Sequence, residues 1–298
     1  MSVSQYEIFV KAAETGSLTL AAEALGCTQS NASHAIAALE REFGFSLLRR
    51  GRGGVKLTEE GAVLLPLVCA VCDGEAALRR RAAELRGLET GRLRIGSFTS
   101  VAVHWLPGIL KGFQTLYPNI GFELLNGDYH DVDQWLAAGR VDAAFTRLPS
   151  ALPCTFLPLY EDRLMAILPK NHPKAGLERF PMEAIAGESF ISLLESSDHD
   201  SIRVLREAGY EPEIRFTTKD DYALIAMVEN GLGMSIVPEL LLEGRRENIA
   251  VLPLTPPARR TIALAIPEGS RESPAARRFA DFAAEWARQY AAERKGEA

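Results

Sequence analysis

Two groups of residues have the types and spacing to do chemistry. Ser97, Thr99 and Ser100 lie between an apolar strand pattern at 93–96 and a helical pattern expected over 102–116. Hydroxyls and backbone N–H groups just beyond a strand's carboxyl end, ahead of a helix, favour an anion. The same strand-end logic nominates Asn126, Thr146 and Arg147, with Ser192 from a later strand and Thr218 ahead of a helix over 220–230. Each is also the kind of residue that caps a helix or makes a turn. The second group is basic. Residues 41–58 hold Arg41, Arg49, Arg50, Arg52 and Lys56 against Glu42, a net charge of +4 suited to phosphate.

Other chemistry is weakly supported. Cys69 and Cys72 share a helix face, but no second cysteine pair or nearby histidine completes a metal site, so packing is the better reading. Asp198-His199-Asp200 reads as a polar loop, and His104 beside Trp105 as a packing or capping residue. No HExxH, Walker loop or nucleophile elbow is present, so no cofactor, metal or enzymatic activity is expected.

The chain that must position these residues has 298 residues, 47% hydrophobic and 24% charged, enough for about two globular domains. The net charge of −6 taken alone argues against nucleic-acid binding. It is unevenly spread: 1–40 carry −3, 41–58 carry +4, and 59–298 carry −7. Four cysteines are too few for a disulfide framework, the first residues do not form a signal peptide, and no apolar run approaches the ~20 residues that span a bilayer. A reducing cytosol is the expected home, with no membrane contact.

Tyr6, Phe9, Val10 and Ala13 have helical spacing, and Gly16 can end that helix. Ser17 can cap a second helix over 18–25, and Thr28 a third over 29–43, after a turn at Gly26-Cys27. On the third helix Ala32, Ala35, Ile36, Leu39 and Phe43 share one side, and Ser30, Ser33, His34, Ala37 and Arg41 the other. The second face suits a DNA major groove, and equally a solvated surface; the helix alone leaves this open. Residues 47–58 then read as two short strands around a Gly/Arg loop, the form of a wing. Phe9, Gly16-Ser17-Leu18, Ala21-Ala22, Leu25, Thr28-Gln29-Ser30, Ser33, Ile36, Leu39-Glu40, Gly44, Leu47, Arg50, Leu57-Thr58 and Gly61 resemble the winged helix-turn-helix of LysR-type transcriptional regulators. The resemblance implies contact of Thr28, Gln29, Ser30, Ser33, His34, Arg50, Arg52 and Lys56 with double-stranded DNA at an inverted repeat. His34 stands where the family more often has arginine, and Leu47-Leu48 where Leu-Phe is commoner.

A third segment, 59–90, reads as one linker helix. Leu64, Val68, Val71, Glu75, Leu78, Ala82 and Leu85 alternate spacings of 4 and 3, a heptad seam that implies a homodimer. Pro66 should kink this helix or delay its regular start. Beyond Gly91, strands and helices alternate, as in a parallel α/β sheet. Leu168-Pro169 with His172-Pro173, and Gly231-Leu232-Gly233 with Val237-Pro238, resemble the two-lobed periplasmic-binding-protein fold of LysR effector domains. The fold class is thus α/β: a winged helix-turn-helix over 1–58, the linker helix over 59–90, and a two-lobed domain over 91–298. Lobe one would take 91–162 and 267–298, lobe two 163–266, with crossing strands near 161–166 and 265–267.

The implied protein is a dimer, or dimer of dimers, whose DNA binding is controlled by a small, anionic organic effector between the lobes, with RNA polymerase as a further partner. The alternatives are a cytosolic small-molecule-binding protein, or an enzyme, on the same two-lobed fold.

Overall fold

The computed structural model describes residues 5–51, 54–85, 92–193, 200–270 and 273–296. The chain divides into two compact units, Met1–Gly87 with Ala138–Arg140, and Leu88–Ala137 with Val141–Ala298.

In the first unit, helices α1 (Gln5–Thr15), α2 (Leu18–Ala24) and α3 (Gln29–Phe43) precede a hairpin of β1 (Leu48–Gly51) and β2 (Gly54–Leu57) and a long helix α4 (Glu59–Leu85). Local chemistry sets the boundaries. Gly16 ends α1 at φ +64°. The Ser17 hydroxyl accepts from the Leu20 N–H, and the Thr28 hydroxyl from the Asn31 N–H, as N-caps. Ile8, Phe9, Ala12, Ala21, Ala32, Ile36 and Leu39 close the core between the helices. The hairpin is fixed to that core at three points. Glu40 accepts from the Leu47 and Leu48 N–H groups at 2.8 and 3.1 Å. Val55 N donates to Gly16 O at 2.8 Å. The Thr58 hydroxyl donates to Ser46 O at 2.7 Å and accepts from Gly61 N at 2.9 Å, so one side chain both ties the hairpin and caps α4.

Helix α4 begins at Glu59 and continues through Pro66, so of the two effects expected of Pro66, a kink or a delayed start, the delay does not occur. The apolar seam is also rotated. Leu64 and Val68 pack onto the unit's own core, whereas Val63, Leu67, Val71 and Leu78 are left exposed. A helix adjoining a globular core must spend one apolar face there, and a heptad count alone does not say which face is spent. The side chains of Ala82 and Leu85 lie outside the described residues.

The second unit begins with β3 (Arg92–Ser97), α5 (Thr99–His104), α6 (Leu106–Leu116), β4 (Gly121–Asn126), α7 (Tyr129–Ala137) and β5 (Ala143–Leu148). The helix expected over 102–116 is therefore two: it starts at Thr99 and breaks at Trp105, where Pro107 begins a new first turn. Then come β6 (Cys154–Pro169), β7 (Phe180–Pro181), β8 (Ser189–Leu193), α8 (Asp200–Glu207), β9 (Glu213–Thr218), α9 (Asp221–Glu229) and β10 (Ser235–Pro238). Strands β11 (Ile249–Thr255) and β12 (Arg259–Pro267) and helix α10 (Pro274–Gly296) complete it.

The main sheet runs β4-β3-β5-β12-β6-β11-β7, with β10 also paired to β6, and β8-β9 form a separate parallel pair. Strands β3, β4 and β5 are parallel, as expected, but β12 is antiparallel to β5 and to β6, so the sheet is mixed. The long strand β6 causes this. Its first half pairs with β12, its second half with β10 and β11, and it passes from one lobe to the other. The return strand starts at Arg259 rather than near Ala265. An aromatic core of Trp105, Phe113, Phe145 and Phe279 fills lobe one, and Phe180, Phe190, Leu205 and Ile236 centre a core of lobe two.

Gly54 tests the hairpin anchor. It sits at φ +110°, and a Cβ there would lie 2.2 Å from the Gly16 carbonyl. Gly54→Ala is expected to cost about 2 kcal/mol of stability, measured by urea unfolding, because strain and clash act together.

Candidate functional sites

In the first unit, α3 presents two faces of opposite character. Ala32, Ala35, Ile36 and Leu39 are buried, while Gln29, Ser30 and His34 are exposed and Ser33 is half-buried. Thr28 is exposed at the cap, and Arg41 lies along the helix with Nε on Ala37 O at 3.2 Å. The hairpin places Arg49 directly across from Lys56, and both are exposed. Opposed residues of an antiparallel pair share a face, and like charges there repel unless an anion lies between or above them. Arg49 is a residue the sequence reading counted as charge but did not nominate; strand register supplies the missing signal. Arg50 pairs with Val55 in β1, and Arg52 lies outside the described residues.

In the second unit, the eight nominated residues do not converge on one pocket. At the centre is a sealed ionic cluster built on Arg260 of β12, whose side chain is 4% exposed. Its guanidinium donates from Nε and Nη2 to Asp162 Oδ2 of β6 at 3.0 and 2.7 Å, from Nη1 to the Tyr129 hydroxyl at 2.6 Å, and from Nη2 to the Ser100 hydroxyl at 2.8 Å. The Tyr129 hydroxyl donates in turn to Asp200 Oδ2 at 2.7 Å, and Asp162 Oδ1 accepts from the Leu240 N–H at 3.0 Å. Phe98 stacks 4.9 Å from the guanidinium carbon. Burial opposes the charge on Arg260, but Tyr129, Asp162 and Asp200 outweigh it and hold the guanidinium protonated. Burial also raises the Tyr129 phenol well above its ordinary value, so it remains a neutral O–H donor.

Two openings flank this cluster. One, of about 520 Å³, is lined by Tyr129, Asp133, Thr146, Arg147 and Pro149. The Arg147 guanidinium carbon lies 4.7 Å from the centre of the Tyr129 ring. The other, of about 470 Å³, is lined by Thr99, Asn126, Asp128, Asp131, Lys219 and Asp221 among others, an acidic set with a single lysine.

Ser97 is buried, and its hydroxyl has no hydrogen-bond partner among the described residues. Thr99 and Ser100 are engaged by the protein itself, through Asp221 and Arg260 respectively. Ser192 donates to the Leu193 carbonyl, and the Thr218 hydroxyl accepts from the Asp220 N–H. The cluster residues Tyr129, Asp162, Asp200, Asp221 and Arg260 were missed. The readable signal was charge inside apolar strands, Asp162 in β6 and Arg260 in β12. Asp198 and His199 lie outside the described residues.

Residues 86–288 match the family described as "LysR substrate binding domain", and residues 3–62 the "Bacterial regulatory helix-turn-helix protein, lysR family". The chain belongs to the LysR family. Its LysR-family relatives include an uncharacterized HTH-type transcriptional regulator, YvbU, of Bacillus subtilis, 31% identical over 96% of this chain and 98% of that protein. A probable hydrogen peroxide-inducible genes activator of Mycobacterium avium is 30% identical over 80% of this chain and 78% of its own. Among solved structures, the LysR-family regulator CbnR superposes with a TM-score of 0.69 at 22% identity, covering 95% of this chain and 98% of that one. LysR-family membership makes the chain a transcriptional regulator with an effector-binding domain, not an enzyme. No helix among the described residues is long and apolar enough to cross a membrane.

Burial raises the Asp221 carboxyl above its ordinary value, against the opposing pull of the Thr99 hydroxyl and Arg260. The folded chain therefore binds this proton more readily than the unfolded chain, and stability from Asp221 falls as pH rises from about 3.9 through the raised value. Asp221→Asn keeps an oxygen for Thr99 and removes the charge. It is expected to raise the thermal midpoint at pH 7, with the gain vanishing below about pH 4.

Proposed function

We propose that this chain is a sequence-specific DNA-binding regulator that acts as a homodimer, or dimer of dimers, and responds to a small organic anion. In this reading residues 1–58 bind the major groove and phosphates of an inverted repeat, 59–90 pair two copies, and 91–298 take the effector. The observation that carries the DNA-binding half is the hairpin: exposed Arg49 and Lys56 opposed in register, in the same unit as the polar face of α3. Ser30, Ser33 and His34 are then the base-reading candidates, with Thr28, Gln29, Arg50, Arg52 and Lys56 near the backbone. The exposed stripe of Val63, Leu67, Val71 and Leu78 supports pairing of α4 with a second copy.

For the effector, charge selects the chamber. The sealed centre sets three carboxylates, Asp162, Asp200 and Asp221, around one guanidinium, and the opening at Lys219 is acidic. The chamber of Thr146 and Arg147 offers a guanidinium and a hydroxyl against one carboxylate, Asp133, the least acidic lining of the three, and we assign the anion to it. Although one relative is called peroxide-inducible, thiol sensing finds no support at Cys69, Cys72 or Cys154. Burial raises Cys69 and Cys154 and pushes Cys72 up to about 11, which keeps these thiols protonated and poorly nucleophilic.

Nuclease footprinting of the chain's own promoter at low salt tests the first half. A footprint is expected, and its absence would sink the reading. Arg49→Ala should weaken binding to all sequences alike and reduce the salt slope by about one, whereas Ser33→Ala or His34→Ala should change sequence preference. A thermal-shift screen of small carboxylates, benzoate and shikimate included, tests the second half. A raised midpoint is expected for at least one carboxylate and should be lost in Arg147→Gln. A shift that survives this substitution places the effector elsewhere.

A further inference from the structure

Arg260 has more acidic neighbours than its charge needs. Its Nε and Nη2 donate to Asp162 at 3.0 and 2.7 Å, and one carboxylate balances one guanidinium. Asp162 lies on β6, which pairs with β12, so it stays with Arg260 whatever the lobes do. Asp200 is a second carboxylate, 1% exposed and carried by α8 of lobe two. Its Oδ2 accepts from the Tyr129 hydroxyl at 2.7 Å and lies 3.7 Å from Arg260 Nη1. Its Oδ1 lies 3.5 Å from Nη2 of Arg203, a residue of the same helix that also holds Glu207 at 3.1 Å. Tyr129 and Ser100, the other groups on the Arg260 fork, belong to α7 and α5 of lobe one.

Burying a surplus carboxylate is costly unless donors are already arranged for it. Here Arg260 Nη1 donates to the phenol oxygen at 2.6 Å and the phenol donates on to Asp200, a chain in which each bond strengthens the next. Around these groups about 30 Å³ of free volume remains, room for about two waters and not for an organic ligand. We propose that this centre is a carboxylate-binding site, built by lobe one and the crossing strands, that the chain fills with Asp200 of lobe two. The chain is its own ligand there, so the lobes are held together with no small molecule bound. A free carboxylate gains the site only when lobe two withdraws Asp200. This goes beyond the effector assigned to the Arg147 chamber and does not depend on it.

Chemical rescue of the full chain tests this, with formate as the probe, because Asp200→Ala removes a group of formate's size from the site. Asp200→Ala is expected to lower the thermal midpoint in chloride. Formate at the same ionic strength should then raise it by roughly 2–4 °C more than it raises the wild type. The gain should saturate, and should need about tenfold more formate once Tyr129→Phe removes the phenol donor as well. Asp200→Asn keeps the place filled and should respond to formate as the wild type does. Near-UV circular dichroism shows whether each variant is folded, and if Asp200→Ala is not, Asp200→Ser carries the same comparison. A formate gain no larger than that of the wild type, one equally large in Asp200→Asn, or one indifferent to Tyr129→Phe overturns the proposal. The gain should also survive Arg147→Gln; its loss there places formate in the Arg147 chamber and overturns the proposal too. Failure of every carboxylate to shift the wild-type midpoint sinks the effector reading alone and leaves this comparison intact.

Discussion

The effector unit depends on one buried ion pair, Arg260 with Asp162. The two residues sit on β12 and β6, paired strands that cross between the lobes, and they are 4% and 1% exposed at the side chain. Removing two charges from water costs several kcal/mol per ion, so the pair is poor evidence of stability in itself. Its value is positional. Asp162 has two further claims on it, a second guanidinium contact and the Leu240 N–H, while Arg260 reaches Tyr129 and Ser100 in lobe one. A guanidinium with a fixed fork of donors can satisfy all of these at once, which a lysine could not. The pair therefore sets where the cluster's polar groups point, and what the surrounding cavity can accept.

The DNA-binding unit solves a different problem. A two-stranded hairpin is marginal alone in water. Here it carries opposed cations as well, Arg49 and Lys56. Backbone anchors offset this: Glu40 takes two N–H groups, Gly16 takes a third, and Thr58 closes the base of the hairpin. The Arg49–Lys56 repulsion is kept in the isolated chain, and approach of a polyanion relieves it.

The N-terminal unit was legible in the sequence because its determinants are local. The Ser17 and Thr28 caps, the glycines at 16 and 44, and the period of Ala32, Ile36 and Leu39 lie within one or two turns of what they control. The effector unit was less so. Arg260 finds Asp162 98 residues away and Tyr129 131 residues away, separations that no window of periodicity reaches. Strand β11 was missed because Pro253 interrupts its apolar run, yet the strand pairs with β6 through that residue. The hydroxyls of the 97–100 segment were rightly read as polar groups at a strand end, but sequence could not show that Asp221 and Arg260 already engage two of them. The α4 seam was offset for a related reason: Leu64 and Val68 have the spacing of a coiled coil, and the adjoining core claims them first.

The scale of the side-chain bonds between the lobes fits the task of regulation. Allosteric coupling energies are typically about 1–3 kcal/mol, and a ligand shifts an equilibrium only by its differential affinity for the two states. A hydrogen bond to a charged group contributes about 1.5–3 kcal/mol. One or two such bonds between the lobes, Tyr129 to Asp200 and Thr99 to Asp221, match what a single effector can overcome. The Arg260–Asp162 pair does not have to break for the lobes to move, because both members lie on the crossing strands that form the pivot. A strong, buried interaction at the pivot and weaker ones away from it allow the angle between the lobes to change without unfolding either.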